Sequence, residues 1–520
     1  MKHSLHLLIA LCAAGGLHAA ESSPPRPNVL FIAVDDLRPD LGCYGNDYIK
    51  SPNIDRIAKE GMVFNRAYCQ QAVCAPSRSS LMTGARPDTT KVWDLVTHFR
   101  EALPEVVTLG QHFKQNGYFV QGTGKIYHGK LTDDPTWSIP LQTPKAIKYA
   151  LPENQKLDAR QYEKKPEVDA KTETRTTKTP DGAPSTGLNS RGPAFEAADV
   201  PDNTFQDGKV AEMAIAALQE LSKKEEPFFL AVGFTKPHLP FVAPKKYWDL
   251  YDPSQIQLAS NKFHPKDAPD YAILPGGELR NYHGIPKTSI PDDLARQLRH
   301  GYYASLSYMD AQVGAVLDEL KRLGLDKNTI IILWGDHGWK LGEHDAWCKH
   351  SNVENDTRVP LLLSAPGMKA AGKHTDALVE FVDIYPTLAD LAGLPLPAHL
   401  EGTSFKPLLD DPNRAWKSAA FSQYPRTQND GLMGYSMRTD RYRFTVWVDR
   451  KDHTKVDAIE LYDHQTDPQE NTNVARAPAN AELVAKLMAQ WKLGWPGAKP
   501  PGASGSEANL SKPQTSHNET

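Results

Sequence analysis

Cys74 stands at an unusual place for a thiol. In CQQAVCAPSRSSLMTG (69–84) it is followed by Pro76, Ser77 and Arg78, and then by a run of helical character. A lone cysteine is usually a buried structural thiol. At a loop-to-helix junction it can instead be a thiolate nucleophile whose pKa the helix dipole lowers. Neither reading explains why proline, serine and arginine follow at these offsets. Other residues with useful chemistry come in pairs: Asp35-Asp36, Lys125 with His128, Lys236 with His238, and Asp336-His337. Each pair lies at the end of an apolar run. A further stretch, GEHDAWCKH (342–350), carries Glu343, two histidines and Lys349; its spacing resembles a zinc-ligand set only loosely.

The apolar runs are NVLFIAV (28–34), YFVQGTGKIYHG (118–129), PFFLAVGFTKPHLPF (227–241) and NTIIILWGDHG (328–338). The first and last are continuous, as expected of strands buried on both faces. Between them lie helical patterns. NIDRIAKEG (53–61) and TLGQHFKQNG (108–117) are stopped by glycine, KVAEMAIAALQELSKK (209–224) is periodic, and a long helix over 297–324 ends at Gly324. This alternation predicts an α/β fold with a large, mostly parallel central sheet flanked by helices. In such sheets ligands bind outside the carboxyl ends of the strands. Four strand ends carrying polar pairs therefore predict one shared site.

Beyond that core the chain divides by composition. Residues 1–20 have Lys2, an apolar stretch and small residues near Ala19 and Ala20, which predicts a signal peptide. A catalytic unit spans 21–400. Within it, 138–204 is rich in Lys, Thr, Pro, Glu and Asp and reads as a surface insertion, partly disordered. Strand and turn patterns after 400, closed by AELVAKLMAQWKLG, predict a smaller C-terminal α+β subdomain with an antiparallel sheet over 401–495, and 496–520 reads as a disordered tail. No later run approaches membrane length, so the expected location is periplasmic or secreted, with no membrane span. The formal charge of −4 predicts no general attraction to nucleic acid or to acidic membranes; a polyanionic substrate would need a local basic pocket. Four cysteines remain after cleavage, Cys43, Cys69, Cys74 and Cys348, and their spacing is not that of a disulfide framework.

CAPSRSSLMTG (74–84) resembles the signature of the formylglycine-dependent sulfatases: Cys-x-Pro-Ser-Arg, with Leu, Thr and Gly at set offsets. Further stretches are similar to the iduronate-2-sulfatase-like branch, in order: DDLRPDLGCYGN, SPNIDRIAKEG, GKIYHG, AVGFTKPHLPF, GDHGWKLGEHDAWCKHSN and SQYPR, from about residue 28 to 475. The resemblance implies an alkaline phosphatase-like sandwich and a cysteine oxidised by a formylglycine-generating maturation enzyme. The aldehyde hydrates to a diol; one oxygen attacks sulfur, and the second hydroxyl later helps expel sulfate.

By the same resemblance, Asp35, Asp36, Asp336, His337 and the modified Cys74 match the ligands of one divalent cation. Oxygen donors suit Ca²⁺, while the imidazole also suits transition metals. Arg78, one helical turn beyond Cys74, can face the same way, and as a planar donor it could fix the diol and an oxygen anion. Lys125 and Lys349 match lysines that grip the sulfate. His128 matches the base that takes the diol proton, and His238 the acid for the leaving alcohol. Lys236 reads equally as a sulfate contact or a loop charge, and 342–350 as the loop that positions Lys349. Trp93, His98 and Arg100 follow the signature where the resemblance implies substrate contacts and read equally as packing residues, with Arg100 the candidate for a substrate carboxylate. The implied activity is hydrolysis of sulfate esters on a sulfated oligo- or polysaccharide, the 2-O-sulfate of a uronic acid first. The rivals are a phosphate or phosphonate ester hydrolase on the same fold, and a catalytically silent glycan-binding relative.

Overall fold

The computed structural model describes residues 26–163, 191–426 and 431–502. Among them the largest sheet has seven strands: β1 (Asn28–Val34), β2 (Met62–Phe64), β3 (Phe119–Gly124), β4 (Phe228–Phe234), β5 (Thr329–Gly335), β6 (Leu361–Ser364) and β7 (Lys373–Thr375). Their spatial order is β7-β2-β6-β5-β1-β4-β3. β1 pairs in parallel with both β5 and β4, and β4 with β3. β6 alone runs antiparallel to its two neighbours, so the sheet is mixed while remaining mostly parallel.

The strand interiors explain the unbroken apolar runs. Along β1, Leu30, Ile32 and Val34 face one core and Val29, Phe31 and Ala33 the other, because successive side chains point to opposite faces. The helices include α1 (Pro52–Glu60), α2 (Cys74–Thr83), α3 (Gln206–Leu221), α4 (Asp292–Arg322) and α5 (Ala481–Leu493). On α4, Tyr302, Leu306, Met309, Val313, Val316 and Leu320 recur at three- and four-residue steps and are buried in the first core. The helix begins five residues before the expected start, with Pro291 preceding Asp292 and Asp293 in its first turn.

A separate antiparallel sheet is formed by β8 (Ala420–Arg426), β9 (Leu432–Arg438), β10 (Tyr442–Asp449) and β11 (Val456–Asp463), in that order. Met437, Phe444, Val446 and Leu461 share a core with Leu487 of α5.

The expected insertion is more structured at its flanks than its composition suggests. Tyr149 is buried, a helix spans Pro152–Glu163, and Phe195–Ala198 pairs in parallel with Phe241–Pro244. Buried Glu196 accepts N–H bonds from Ala150 and Leu151 and from the Asn154 amide. Anchoring by hydrogen bonds and by single aromatics leaves no apolar period to read. Residues 164–190 of this insertion lie outside the described residues, as does the signal-peptide segment. The tail reading also shifts: Trp495–Ala498 forms a short 3₁₀ turn with Ala498 buried, and only 503–520 lies outside the described residues. The four described cysteines are free thiols. No helix among the described residues is long and apolar enough to cross a membrane.

Candidate active site

The carboxyl ends of β1 and β5 lie side by side and deliver Asp35, Asp36, Asp336 and His337, all fully buried. Consecutive strand residues point to opposite faces; beyond β1 the strand ends, and Asp36 takes the left-handed φ of 58°. Both neighbouring carboxylates thereby reach one centre. The Asp336 carboxylate accepts the backbone N–H groups of Asp36 and His337, each at 3.0 Å. The ring Nδ1 of His337 meets the Gly338 carbonyl at 3.0 Å. A carbonyl only accepts, so Nδ1 carries the hydrogen and Nε2 turns inward. Nε2 lies 3.4 Å from Asp36 Oδ1 and 3.6 Å from Asp336 Oδ1.

Cys74 opens α2, whose ten residues are all buried. Its Sγ lies 3.3 Å from His337 Nε2, 3.5 Å from Asp35 Oδ1 and 3.8 Å from Lys125 Nζ. Burial, reinforced by the Asp35 charge, pushes the thiol pKa well above its ordinary value. That disfavours an unmodified thiolate nucleophile, despite the position at a helix start.

Arg78 occupies the expected face, but its donors are spent on the protein. Nε donates to Asp336 at 2.9 Å, one Nη to Asp35 at 3.2 Å, and the other to the carbonyls of Lys125 and Ile126. Its guanidinium also lies over Trp334. Arg78 therefore aligns the carboxylates rather than offering a free donor to a ligand. Ser77 Oγ donates to the Asp336 carbonyl at 2.5 Å and pins the same strand end.

Lys125, at the end of β3, pairs with Asp35. Lys349 lies 3.1 Å from Asp36 and packs over the Trp339 ring. His238 Nε2 stands 3.8 Å from Asp36 and 4.0 Å from Asp35, while its Nδ1 meets the Leu239 carbonyl at 2.6 Å. Burial works against a charge on His238, yet Asp36 and Glu278 outweigh it and raise its pKa. His128 differs: burial and the nearby Lys125 charge lower its pKa to about 4. One histidine is thus biased towards holding a proton and the other towards being neutral.

Glu278 is the residue that sequence reasoning missed. Its carboxylate bridges His238 Nε2 at 3.1 Å and Lys349 Nζ at 2.8 Å. It sits in an irregular glycine-rich stretch with no motif to mark it. Lys236, by contrast, does not face the centre. Its Nζ donates to the His238 and Pro240 carbonyls at 3.0 and 2.6 Å, bracing its own loop, and Asp207 accepts the N–H groups of Thr235 and Lys236 beneath it.

One other expectation is corrected. Arg100 is held by Asp133, the Pro104 carbonyl and Gln111, and His98 caps the turn before it, so both serve local structure. Glu343 pairs with Arg38 at 3.1 Å and Arg299 at 3.3 Å, and among the described residues it belongs to no candidate metal group. Lys91 and Arg450 each lie over the Trp93 ring, 5.6 and 4.8 Å from its centre.

The donor set fits a divalent cation. One ligand atom each from Asp35, Asp36, Cys74 and His337 lies within 4.8 Å of the others, and Asp336 adds a third carboxylate beside His337. Burial raises the Asp36 pKa, an effect Lys349 only partly offsets, so further positive charge here is favourable. Among the described residues the other candidate group, Glu354 with His464 and Glu470, is already neutralised by Arg438 and Arg443.

Residues 27–394 match the family described as Sulfatase, and residues 342–493 match the family N-sulphoglucosamine sulphohydrolase, C-terminal. Iduronate 2-sulfatase of Mus musculus is 37% identical, over 88% of this chain and 93% of that protein. Among solved structures, a 2-O GAG sulfatase superposes with a TM-score of 0.67 at 23% identity, covering 90% of this chain and 91% of that one. The phosphonate monoester hydrolase of Agrobacterium radiobacter gives 0.68 at 23%, covering 91% and 95%. These two likenesses establish the alkaline phosphatase-like fold and do not separate sulfate from phosphonate chemistry. The family match and the relative's identity over nearly the whole chain do separate them: the chain belongs to the sulfatase family, in its iduronate-2-sulfatase-like branch, and is a sulfuric ester hydrolase.

Proposed function

We propose that this enzyme is exported and removes sulfate from a sulfated saccharide, with the 2-O-sulfate of a uronic acid residue as the preferred ester. The observation that carries the reading is Cys74 Sγ set among Asp35, His337 and Lys125, with Lys349 and His238 on the Asp36 side. Cys74 is the substrate of a formylglycine-generating maturation enzyme. The modified residue supplies a hydrated aldehyde, one oxygen as nucleophile and one hydroxyl to assist release of sulfate. Asp35, Asp36, Asp336 and His337 would hold Ca²⁺, which supplies positive charge against the sulfate oxygens.

The remaining roles belong to this chain's own side chains. Lys125, beside Asp35, and Lys349, beside Asp36, present the ammonium groups that neutralise an incoming sulfate. His238, with Nδ1 fixed by the Leu239 carbonyl and its charge supported by Asp36 and Glu278, donates a proton to the departing alcohol. His128, neutral above about pH 4, accepts a proton afterwards. Arg78 and Glu278 position these groups.

The test joins mass spectrometry of the residue 74 peptide, from a host with maturation machinery, to a desulfation screen of defined sulfated oligosaccharides. Formylglycine at position 74 and sulfate release from uronate 2-O-esters are expected. An unmodified thiol in fully active enzyme overturns the nucleophile. Release only from other ring positions overturns the 2-O assignment.

A further inference from the structure

Beside the C-terminal sheet lies a trough of about 550 Å³ lined by Lys91, Trp93, Tyr435, Arg450, Lys451 and His453. It shares Asp88, Tyr435 and His453 with a smaller cavity of about 230 Å³, walled by Trp491 and Trp495. Two features mark this surface. Three cations gather in a chain whose formal charge is −4. Among the described residues none of Lys91, Arg450 or Lys451 has an ion-pair partner. Arg450 and Lys91 instead lie 4.8 and 5.6 Å from the Trp93 ring centre. The acid at the floor, Asp88, spends its oxygens on Trp93 Nε1, Gln423 Nε2 and Tyr435 Oη, at 3.3, 2.8 and 2.6 Å. The trough is therefore aromatic and cationic, and among the described residues its only lining carboxylate is occupied.

Both walls are tied to the segments that carry the catalytic groups. The Trp93 carbonyl accepts from Gln71 Nε2 at 2.9 Å, three residues before Cys74. Gln423 of β8 donates its N–H to the Gln70 carbonyl. On the other side, the Gly434 carbonyl of β9 accepts from Asn352, three residues after Lys349, and Tyr424 of β8 meets His350 at 2.6 Å.

We propose that this trough is a second subsite, binding an anionic sugar residue of the same glycan chain next to the one whose sulfate is cleaved. Flat rings such as Trp93 and Tyr435 pack against the apolar face of a pyranose. Arg450, with Lys91 and Lys451, takes its sulfate or carboxylate; a guanidinium matches such oxyanions with two parallel donors. The inference rests on the saccharide reading above and deepens it, since it makes the enzyme one that recognises a chain rather than a lone sulfated sugar.

The test measures binding without turnover, by calorimetry on the Cys74→Ala protein. The probes are a size-defined heparin-derived hexasaccharide and the matching sulfated disaccharide. The hexasaccharide is expected to bind at least tenfold tighter than the disaccharide. Adding Arg450→Ala and Lys451→Ala should lower hexasaccharide affinity at least tenfold and change disaccharide affinity less than twofold. Trp93→Ala, which keeps every charge, should weaken the hexasaccharide alone. Equal affinity for the two probes, or equal losses on both in the variants, overturns the subsite. The two readings fail separately. Selective hexasaccharide loss in an enzyme that desulfates no saccharide upholds the trough and sinks the substrate assignment. Saccharide desulfation with unaltered hexasaccharide binding in the variants does the reverse.

Discussion

At the scale of the residue, spacing revealed which side chains gather but not what each donor is spent on. Asp35, Asp36, Cys74, Asp336, His337 and Lys125 could be read because each belongs to a strand end or to the signature, and Lys349 because its stretch resembles the family's. Arg78 and Arg100 have the same chemistry on paper, yet one is fully committed to Asp35, Asp336 and two carbonyls, the other to Asp133. Glu278 had no pattern at all, and it bridges His238 and Lys349. Glu278→Gln keeps the shape and removes the charge. It should lower kcat about 10- to 100-fold, since it weakens the support of a proton donor worth about 10²–10⁴. KM for an anionic ester should fall or stay the same, because a negative charge leaves the pocket. A rise in KM with unchanged kcat would make Glu278 a binding residue. The two histidines separate by leaving group. Sugar alcohols need a proton as they depart and nitrophenol hardly does, so His238→Ala should depress sugar-sulfate turnover far more than nitrophenyl sulfate turnover. His128→Ala should instead show a single-turnover burst with either ester. Equal losses on both esters for His238→Ala, without a burst for His128→Ala, would reverse the assignment.

At the scale of the element, the buried strands and the long helix were legible because burial on two faces, or along one stripe, leaves a period in the sequence. β6 was not, for an antiparallel strand of four residues buried inside a parallel sheet has the same apolar composition as its neighbours. The joint between β3 and β4 shows how an element places a catalytic group. Gly124 and Gly233 face each other in register, and Lys125 donates its N–H to the Gly233 carbonyl at 2.9 Å. A Cβ on Gly233 would stand 2.2 Å from the Lys125 carbonyl oxygen and 2.3 Å from its carbon. Backbone cannot swing aside as a flexible side chain can. Gly233→Ala should cost about 1–3 kcal/mol of stability, as overpacking does. It should lower kcat/KM by more than tenfold, because the displaced atoms carry the ammonium that faces Asp35 and Cys74. Thermal melts and steady-state kinetics check both. Full activity with a lowered Tm would mean that the Lys125 side chain re-aims without loss.

At the scale of the whole molecule, the site is an intersection of segments distant in the chain, and buried ion pairs hold them together. Glu343 shows this best. It lies in the loop before Lys349, pairs with Arg38 just beyond the Asp35-Asp36 turn and with Arg299 on α4, and accepts the Leu341 N–H at 2.6 Å. Sequence reading offered it only as a loose metal-ligand spacing, because a partner 305 residues away leaves no local trace. Burial alone would raise its pKa, but the two guanidinium groups and the backbone N–H hold it at about 2, against an ordinary 4.5. A carboxylate depressed on folding stabilises the protein above its unfolded pKa. That contribution is lost as pH falls from about 4.5 towards 2, as the folded protein must take up the proton it resists. At about 1.4 kcal/mol per pH unit of displacement the loss is on the order of 3 kcal/mol. Wild-type stability should therefore fall through this window by about that amount more than the stability of Glu343→Gln, which cannot titrate there. At pH 7 the order is set by the arginines: Glu343→Gln leaves two buried cations without their counter-charge and should unfold at lower denaturant, by about 3–5 kcal/mol. Denaturant melts of both proteins from pH 2.5 to 7 measure the two effects together. Parallel curves across the acid window would show that Glu343 titrates alike in the folded and unfolded chain, and that other contacts fix the Lys349 loop to β1.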